Sequence, residues 1–268
     1  MRYCSVNGQQ QTDITITERG LAYGDGIFTT AKIVNGKVVL LEKHIERLLL
    51  GCNKLKLNLP LNINLNEQLK FVSKTYSKAV LKVMITAGSG GRGYSRVGLN
   101  ENSTNIIIMV SDFPTHYEGI AQKGIHLGDS EQCIATSSML GGIKHLNRLE
   151  QVLLRVELDE RHEDDLVVTN CQGQVIEVTS ANLFYWLDGR LCTPEISTSG
   201  VDGIIRQVII ANIPQVKVCQ TQVVDLQQAQ GIFICNSLMG IIPVKTYNSR
   251  ILAIDAVLAL QKKMTGLI

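Results

Sequence analysis

The chain has 268 residues, 45% of them hydrophobic, and a formal net charge of +2. That length predicts one large or two moderate domains around a substantial core, and the composition excludes a disordered chain. Near-neutral charge argues against nucleic-acid or membrane-surface binding through bulk charge, although a local basic pocket is compatible with it.

In chain order, Asn7-Gly8 and Asn35-Gly36 each sit between short apolar or β-branched runs, the strongest local signal for a tight hairpin. The second hairpin is expected to pair residues 28–34 with 37–41. A helix follows, with Ile45, Leu48, Leu49, Cys52 and Leu55 at the spacing of a buried face. A further helix is expected over 65–77, then strands at 79–87 and 105–112 separated by the glycine-rich 88–98. Residues 113–119, with a proline and no period, are the expected linker. The domains are therefore read as 1–112, a linker at 113–119, and 120–268.

Beyond the linker, short strands are expected near 124–128 and 132–136. A helix over 147–162 has an inner face of Leu149, Val152, Leu153 and Val156. Strands at 166–169, 175–179, 183–187 and 190–193 follow, with turns at Gly173 and Asp188-Gly189. A helix at 204–212, strands at 231–236 and 240–246, and a last helix at 253–265 complete the chain. Strands outnumber helices and many are joined by hairpins, which favours an α+β fold over a doubly wound parallel sheet.

Seven cysteines are scattered, odd in number and without a C-x-x-C pair. This suits a reducing compartment and argues against a disulfide framework or a zinc site. The five histidines show no ligand spacing, so no metal is expected. The first eight residues lack a signal-like apolar stretch, and no apolar run approaches the roughly 20 residues that span a bilayer. A soluble, cytoplasmic protein is the expectation.

Several local patterns bear chemistry. Residues 88–93 match G-x-G-x-x-G after an expected strand, but the following Tyr-Ser-Arg-Val-Gly-Leu-Asn-Glu-Asn is loop-like, whereas a dinucleotide site needs a helix there. Either a loop offering Arg92 to a substrate carboxylate or a plain surface loop accounts for the segment. Lys144 lies between a glycine turn and an amphipathic helix, beside Ile143 and Leu146. A solvated lysine is the common case, yet desolvation there lowers a pKa, as a Schiff-base lysine requires. Gly203-Ile204-Ile205 opens a helix whose first amides suit an anion. Glu177 in an apolar strand is either on a wet face or buried against a positive partner, and Asn236-Ser237 end a buried strand.

Taken together, these stretches resemble the fold-type IV pyridoxal-phosphate enzymes, the class-IV aminotransferase family, and within it the aminodeoxychorismate lyases. The matching residues are Arg19-Gly-Leu-Ala-Tyr-Gly-Asp-Gly-Ile-Phe-Thr-Thr, His44-x-x-Arg47-Leu, Gly88-Ser-Gly-Gly-Arg-Gly-Tyr-Ser and Gly142-Ile-Lys-His-Leu-Asn-Arg-Leu-Glu-Gln. They continue with Glu177-x-x-x-x-Asn182-Leu-Phe, Gly203-Ile-Ile-Arg and Cys235-Asn-Ser-Leu-Met-Gly-Ile-Ile-Pro-Val, in family order over almost the whole chain.

The resemblance implies a small N-terminal α/β domain, a larger C-terminal domain with a barrel-like sheet, and a homodimer using pyridoxal 5'-phosphate (PLP). Lys144 would bond the cofactor and Glu177 would pair with its pyridine nitrogen. Arg47, the amides at Ile204 and Ile205, and Ser237 would hold its phosphate. Thr30 would hydrogen-bond Lys144, while Asn236 and Arg92 would meet the substrate's carboxyl groups. The implied reaction converts 4-amino-4-deoxychorismate into 4-aminobenzoate and pyruvate in folate biosynthesis, with functional coupling to aminodeoxychorismate synthase. Branched-chain aminotransferases carry Glu-Gly after the Phe28 position and a tyrosine five residues beyond the lysine. Here those positions hold Thr29-Thr30 and Leu149. A D-amino-acid or branched-chain aminotransferase of the same fold, and a dinucleotide-binding module using 88–93, stand as the alternatives.

Overall fold

The Asn-Gly pairs turn the chain as their backbone freedom predicts. In the computed structural model, which describes residues 1–59, 64–100 and 103–268, Asn7 and Asn35 take φ of 52° and 48°, and the glycines after them 82° and 75°. Two consecutive positive φ values match the twist of paired strands. The first hairpin is β1 (Tyr3–Val6) with β2 (Gln9–Gln10). Then come a short helix α1 (Arg19–Tyr23), which periodicity does not mark, and β3 (Gly26–Val34) with β4 (Lys37–Val38). Helices α2 (Leu41–Leu55) and α3 (Leu65–Ser73) and strands β5 (Lys78–Thr86) and β6 (Asn105–Ser111) follow. Helix α3 ends four residues short of the expected 77.

The chain divides into two compact units, Met1–Phe113 with Lys144–Asn147, and Pro114–Ile143 with Arg148–Ile268. In the first, six antiparallel strands run in the order β2-β1-β6-β5-β3-β4. One face of this sheet carries Ile27, Ala31, Ile33, Leu81, Val83, Ile85, Ile106 and Ile108 against Leu48, Cys52 and Leu69 of the helices. Gly51 lets α2 approach closely, since a Cβ there would lie 3.0 Å from Ile27. The buried face of α2 is rotated from the expected one: His44 and Gly51 are inside and Leu49 is 48% exposed.

The second unit opens with α4 (Tyr117–Lys123), so part of the stretch expected as a linker is helical. The two short strands expected near 124–136 are one strand, β7 (Ile125–Ile134), irregular in register between Asp129 and Cys133. Next come α5 (Leu149–Asp159), β8 (Asp165–Asn170), β9 (Gln174–Val178), β10 (Asn182–Leu187) and β11 (Arg190–Pro194). The chain continues through α6 (Ile204–Asn212), β12 (Lys217–Cys219), β13 (Thr221–Gln222) and α7 (Val223–Gln228). It ends with β14 (Gly231–Asn236), β15 (Gly240–Tyr247), β16 (Arg250–Ile251) and α8 (Asp255–Met264).

The sheet order is β12-β11-β10-β14-β15-β7-β8-β9-β13, with β16 on β15. Its two edge strands, β12 and β13, are separated in sequence only by residue 220, so the sheet curls until its ends meet, close to a barrel. The expected α+β class, with a small sheet domain and a barrel-like one, is what the chain forms. Helix α5 departs from expectation. Leu154 and Leu158 are buried, whereas Leu149, Val152, Leu153 and Val156 are each more than half exposed. The helix also carries Glu150, exposed, which accepts from the Ala135 amide, and Glu157, half-buried, which accepts from the Ser130 hydroxyl and the Glu131 amide on β7. Hydrogen bonds from neighbouring segments to these two carboxylates accompany that orientation, and hydrophobic periodicity alone does not register them.

No helix among the described residues is long and apolar enough to cross a membrane.

Candidate active site

Strand alternation builds the first half of the site. On β3, Ile27, Thr29 and Ala31 are buried, so Phe28 and Thr30 project from the opposite face of the sheet. Residues 144–146 lie along this strand like an added edge. The Phe28 amide donates to the Lys144 carbonyl at 2.9 Å and the Leu146 amide to the Gly26 carbonyl at 2.9 Å, with an antiparallel bridge between Ile27 and His145. The Lys144 backbone is therefore pinned, and its Nζ stands 4.5 Å from the centre of the Phe28 ring. Thr30 lies on the same face, and its hydroxyl makes no hydrogen bond with a described residue, Lys144 included.

Motif reading missed Lys82. It pairs with Thr30 across β3 and β5, and its Nζ is 5.1 Å from the same Phe28 ring. Burial pushes its ammonium below the ordinary lysine range, and no described carboxylate pairs with it. A half-buried cation without an acid beside it favours an anionic ligand. The alternation of β5 (Leu81 and Val83 in, Lys82 and Met84 half out) is the sequence signal that places it.

On the buried face, Thr29 Oγ1 and His44 Nδ1 share a 2.6 Å hydrogen bond. Burial first, and then the nearby Arg47 charge, lower the His44 pKa to about 3. Arg47 itself is half-buried on α2, three residues after His44.

The glycine-rich segment after β5 is not a dinucleotide site, because no helix follows Gly93 within the described residues; positions 101–102 lie outside them. The carbonyls of Gly90, Gly93, Tyr94 and Ser95 instead accept hydrogen bonds from the buried Arg19 guanidinium at 3.0–3.4 Å. Arg19 and Arg96 both reach Asp25, their Nε atoms at 2.8 and 3.0 Å. Burial alone would raise the Asp25 pKa, but hydrogen bonds from Arg96 and Arg19 outweigh it and hold the carboxyl below its ordinary range. The loop is thus tied down while Arg92 is exposed at its tip.

The second unit assembles its groups at strand ends. Glu177 on β9 is 7% exposed, and its Oε2 accepts from the Val201 amide at 3.1 Å. Arg148, half-buried and hydrogen-bonded to the Ile143 carbonyl, faces it electrostatically. Desolvation lowers the Arg148 pKa while Glu177 opposes that shift. The buried carboxylate therefore has the positive partner that one of the two sequence readings required. Gly200, at φ 76°, passes close by: a Cβ there would sit 3.2 Å from the Glu177 carboxylate.

Asn182 holds the other side of this loop. Its Nδ2 donates to the Val201 carbonyl at 2.8 Å and its Oδ1 accepts from the Gly203 amide at 3.0 Å. A Cβ on Gly203 would fall 1.9 Å from that oxygen, so only glycine fits. Gly203 is the N-cap of α6 and brings no capping side chain, which leaves the first turn at Ile204 and Ile205 with the unsatisfied amides of a helix start. Ser237, half-buried in the β14–β15 turn, has no described hydrogen-bond partner for its hydroxyl. The Asn236 side chain is hydrogen-bonded within the chain. Its Oδ1 accepts from the Leu238 and Met239 amides at 2.9 and 3.0 Å and its Nδ2 donates to the Ser180 carbonyl, because the tight turn needs those bonds more than solvent does.

The chain matches the family model for amino-transferase class IV over residues 26–247. It is 34% identical to aminodeoxychorismate lyase of Vibrio harveyi over 243 residues, covering 89% of each chain. It is 26% identical to a D-alanine aminotransferase of Listeria monocytogenes, over 88% of this chain and 83% of that one. Among solved structures it superposes on 4-amino-4-deoxychorismate lyase from Pseudomonas aeruginosa with a TM-score of 0.91, at 31% identity over 97% of both chains. A pinned lysine, a buried and charge-paired glutamate and an uncapped helix start thus stand on a chain whose matched region contains them all: this protein belongs to the class IV aminotransferase family.

Proposed function

We propose that this protein is a PLP-dependent lyase that converts 4-amino-4-deoxychorismate into 4-aminobenzoate and pyruvate. The observation that carries this reading is the placement of Lys144, main chain fixed along β3 and Nζ over Phe28, in a chain 34% identical to a lyase of that name. The residues present fit the cofactor. Glu177, beside Arg148, suits a protonated pyridine nitrogen, and Lys144 suits the aldehyde carbon. The amides of Ile204 and Ile205, the Ser237 hydroxyl and the Arg47 guanidinium suit the phosphate. When bound, PLP supplies an electron sink for charge developing on the substrate carbon.

The amine of Lys144 takes the proton from the amine-bearing ring carbon of the substrate. The enolpyruvyl group then leaves, gains a proton on its methylene carbon and departs as pyruvate, and the ring becomes aromatic. Lys82 and Arg92 bind the substrate's two carboxylates, and Thr30 faces the reacting amine. Asn236 acts by holding the turn that carries Ser237. The chain acts in the cytoplasm on the product of aminodeoxychorismate synthase.

The test is direct. Purified protein given aminodeoxychorismate is expected to release 4-aminobenzoate and pyruvate, while D-alanine with 2-oxoglutarate is left unconsumed. The reverse pattern would establish the aminotransferase alternative. Lys144→Ala is expected to abolish both turnover and the visible absorbance of the loaded protein; retention of either excludes its role.

A second copy of the chain covers the outward stripe of α5. Leu149, Val152, Leu153 and Val156 recur at the spacing of one helix face, and such a row is seldom left to water. Placing lysine at both Val152 and Val156 is expected to convert a sedimenting dimer into a monomer. An unchanged mass would count against the homodimer.

A further inference from the structure

Two of the seven cysteines meet at the surface. Cys133, the penultimate residue of β7, and Cys171, in the turn between β8 and β9, are both exposed, with their Sγ atoms 3.7 Å apart. Their backbones are fixed independently of the thiols. Cys133 pairs with Thr169, and Ile134 with Asn170, in the parallel register of β7 and β8. Asn170 Oδ1 accepts from the amides of Gln172 and Gln174 at 3.0 Å each, and Thr136 donates to Gln172 Oε1 at 2.9 Å. The turn therefore holds the two sulfurs side by side, and a small side-chain rotation brings them to the bonding distance of about 2 Å.

We propose that Cys133 and Cys171 form a reversible dithiol site that is oxidised to an intramolecular disulfide by low-molecular-weight disulfides. Loss of one proton leaves a thiolate beside a thiol. That thiolate attacks a sulfur of the small disulfide, forming a mixed disulfide and releasing one small thiolate. The second cysteine gives up its proton and attacks the protein sulfur of the mixed disulfide, releasing the other. The two cysteines lose two electrons, and both leave on the two small-molecule thiols. The Cys171 thiol is held above its ordinary range, first by its hydrogen bond with the Cys133 sulfur.

Three of the other cysteines are poor competitors. Cys52, Cys192 and Cys235 are buried, and burial pushes each thiol up, Cys52 to about 12. Cys192 also neighbours Cys219, but only the latter has partial access to solvent. The new bond would tie β7, whose continuation runs to the Lys144 loop, to the turn that leads into β9 and Glu177.

The cofactor-loaded protein is to be equilibrated with graded mixtures of reduced and oxidised glutathione, quenched by alkylation and mapped by mass spectrometry. A peptide joining Cys133 to Cys171, lighter by two hydrogens and reversed by excess reduced glutathione, is expected before any other oxidation. Cys133→Ser and Cys171→Ser should each stop at a glutathione adduct on the remaining thiol. The oxidised wild type should unfold several degrees higher than the reduced form, a gain absent from both variants. Absence of the joined peptide, or an equal rise in unfolding temperature on oxidation of either variant, would overturn the proposal.

Discussion

The two compact units present their functional groups by different physics. In the first, Phe28, Thr30 and Lys82 stand on one face of an antiparallel sheet because side chains alternate every residue, and Lys144 joins them by adding its backbone to β3. In the second, Glu177, the Gly200–Gly203 loop and the start of α6 are brought together by hydrogen bonds between strand ends distant in sequence. The first arrangement needs only strand register, whereas the second needs a satisfied polar network and fails as a unit when one member is removed.

The largest test of that contrast is Glu177→Gln. Glutamine can still accept from Val201 but cannot balance Arg148, so the change isolates charge from geometry. Turnover is expected to fall by roughly a hundred- to a thousandfold with the fold intact. Unchanged kcat would remove Glu177 from the chemistry.

On the first unit, Lys82→Gln leaves the sheet register untouched and removes one cation. KM for the substrate is expected to rise about 10- to 100-fold, with a smaller change in kcat. A selective loss of kcat would instead place Lys82 at the reacting centre.

The smallest effect concerns stability. His44 is neutral when folded because its pKa is lowered to about 3, so the unfolded chain binds the extra proton below its ordinary 6.5. The contribution is fully present above pH 6.5 and is lost as pH falls toward 3, at about 1.4 kcal/mol per pH unit at its steepest. Urea midpoints for wild type should drop between pH 7 and pH 5 more than those of His44→Asn. Equal drops would show that His44 is not the group responsible.

Read residue by residue, much was legible beforehand. The Asn-Gly hairpins and the helix start at Gly203 follow from local backbone chemistry, and the family from motifs in order. The outward turn of α5 and the hydrogen bonds of Asn236 were not legible. In both cases polar side chains find partners on the folded chain: Glu150 the Ala135 amide, Glu157 the Ser130 hydroxyl and Glu131 amide, and Asn236 the amides of its own turn and the Ser180 carbonyl. Hydrophobic spacing carries no record of those partners. Arg148 and Lys82 were missed for the same reason, since a buried or half-buried cation looks like any surface cation until its surroundings are known.

By itself, then, the sequence determined the local elements, the family and the chemical types available, because φ preferences, alternation and motif spacing act over a few neighbours. Tertiary structure alone decided which face of α5 is inside, that Arg19 rather than a phosphate fills the glycine-rich loop, and that Arg148 faces Glu177. Each of those outcomes depends on desolvation and hydrogen bonding between groups far apart along the chain, and those energies exist only once the chain has folded.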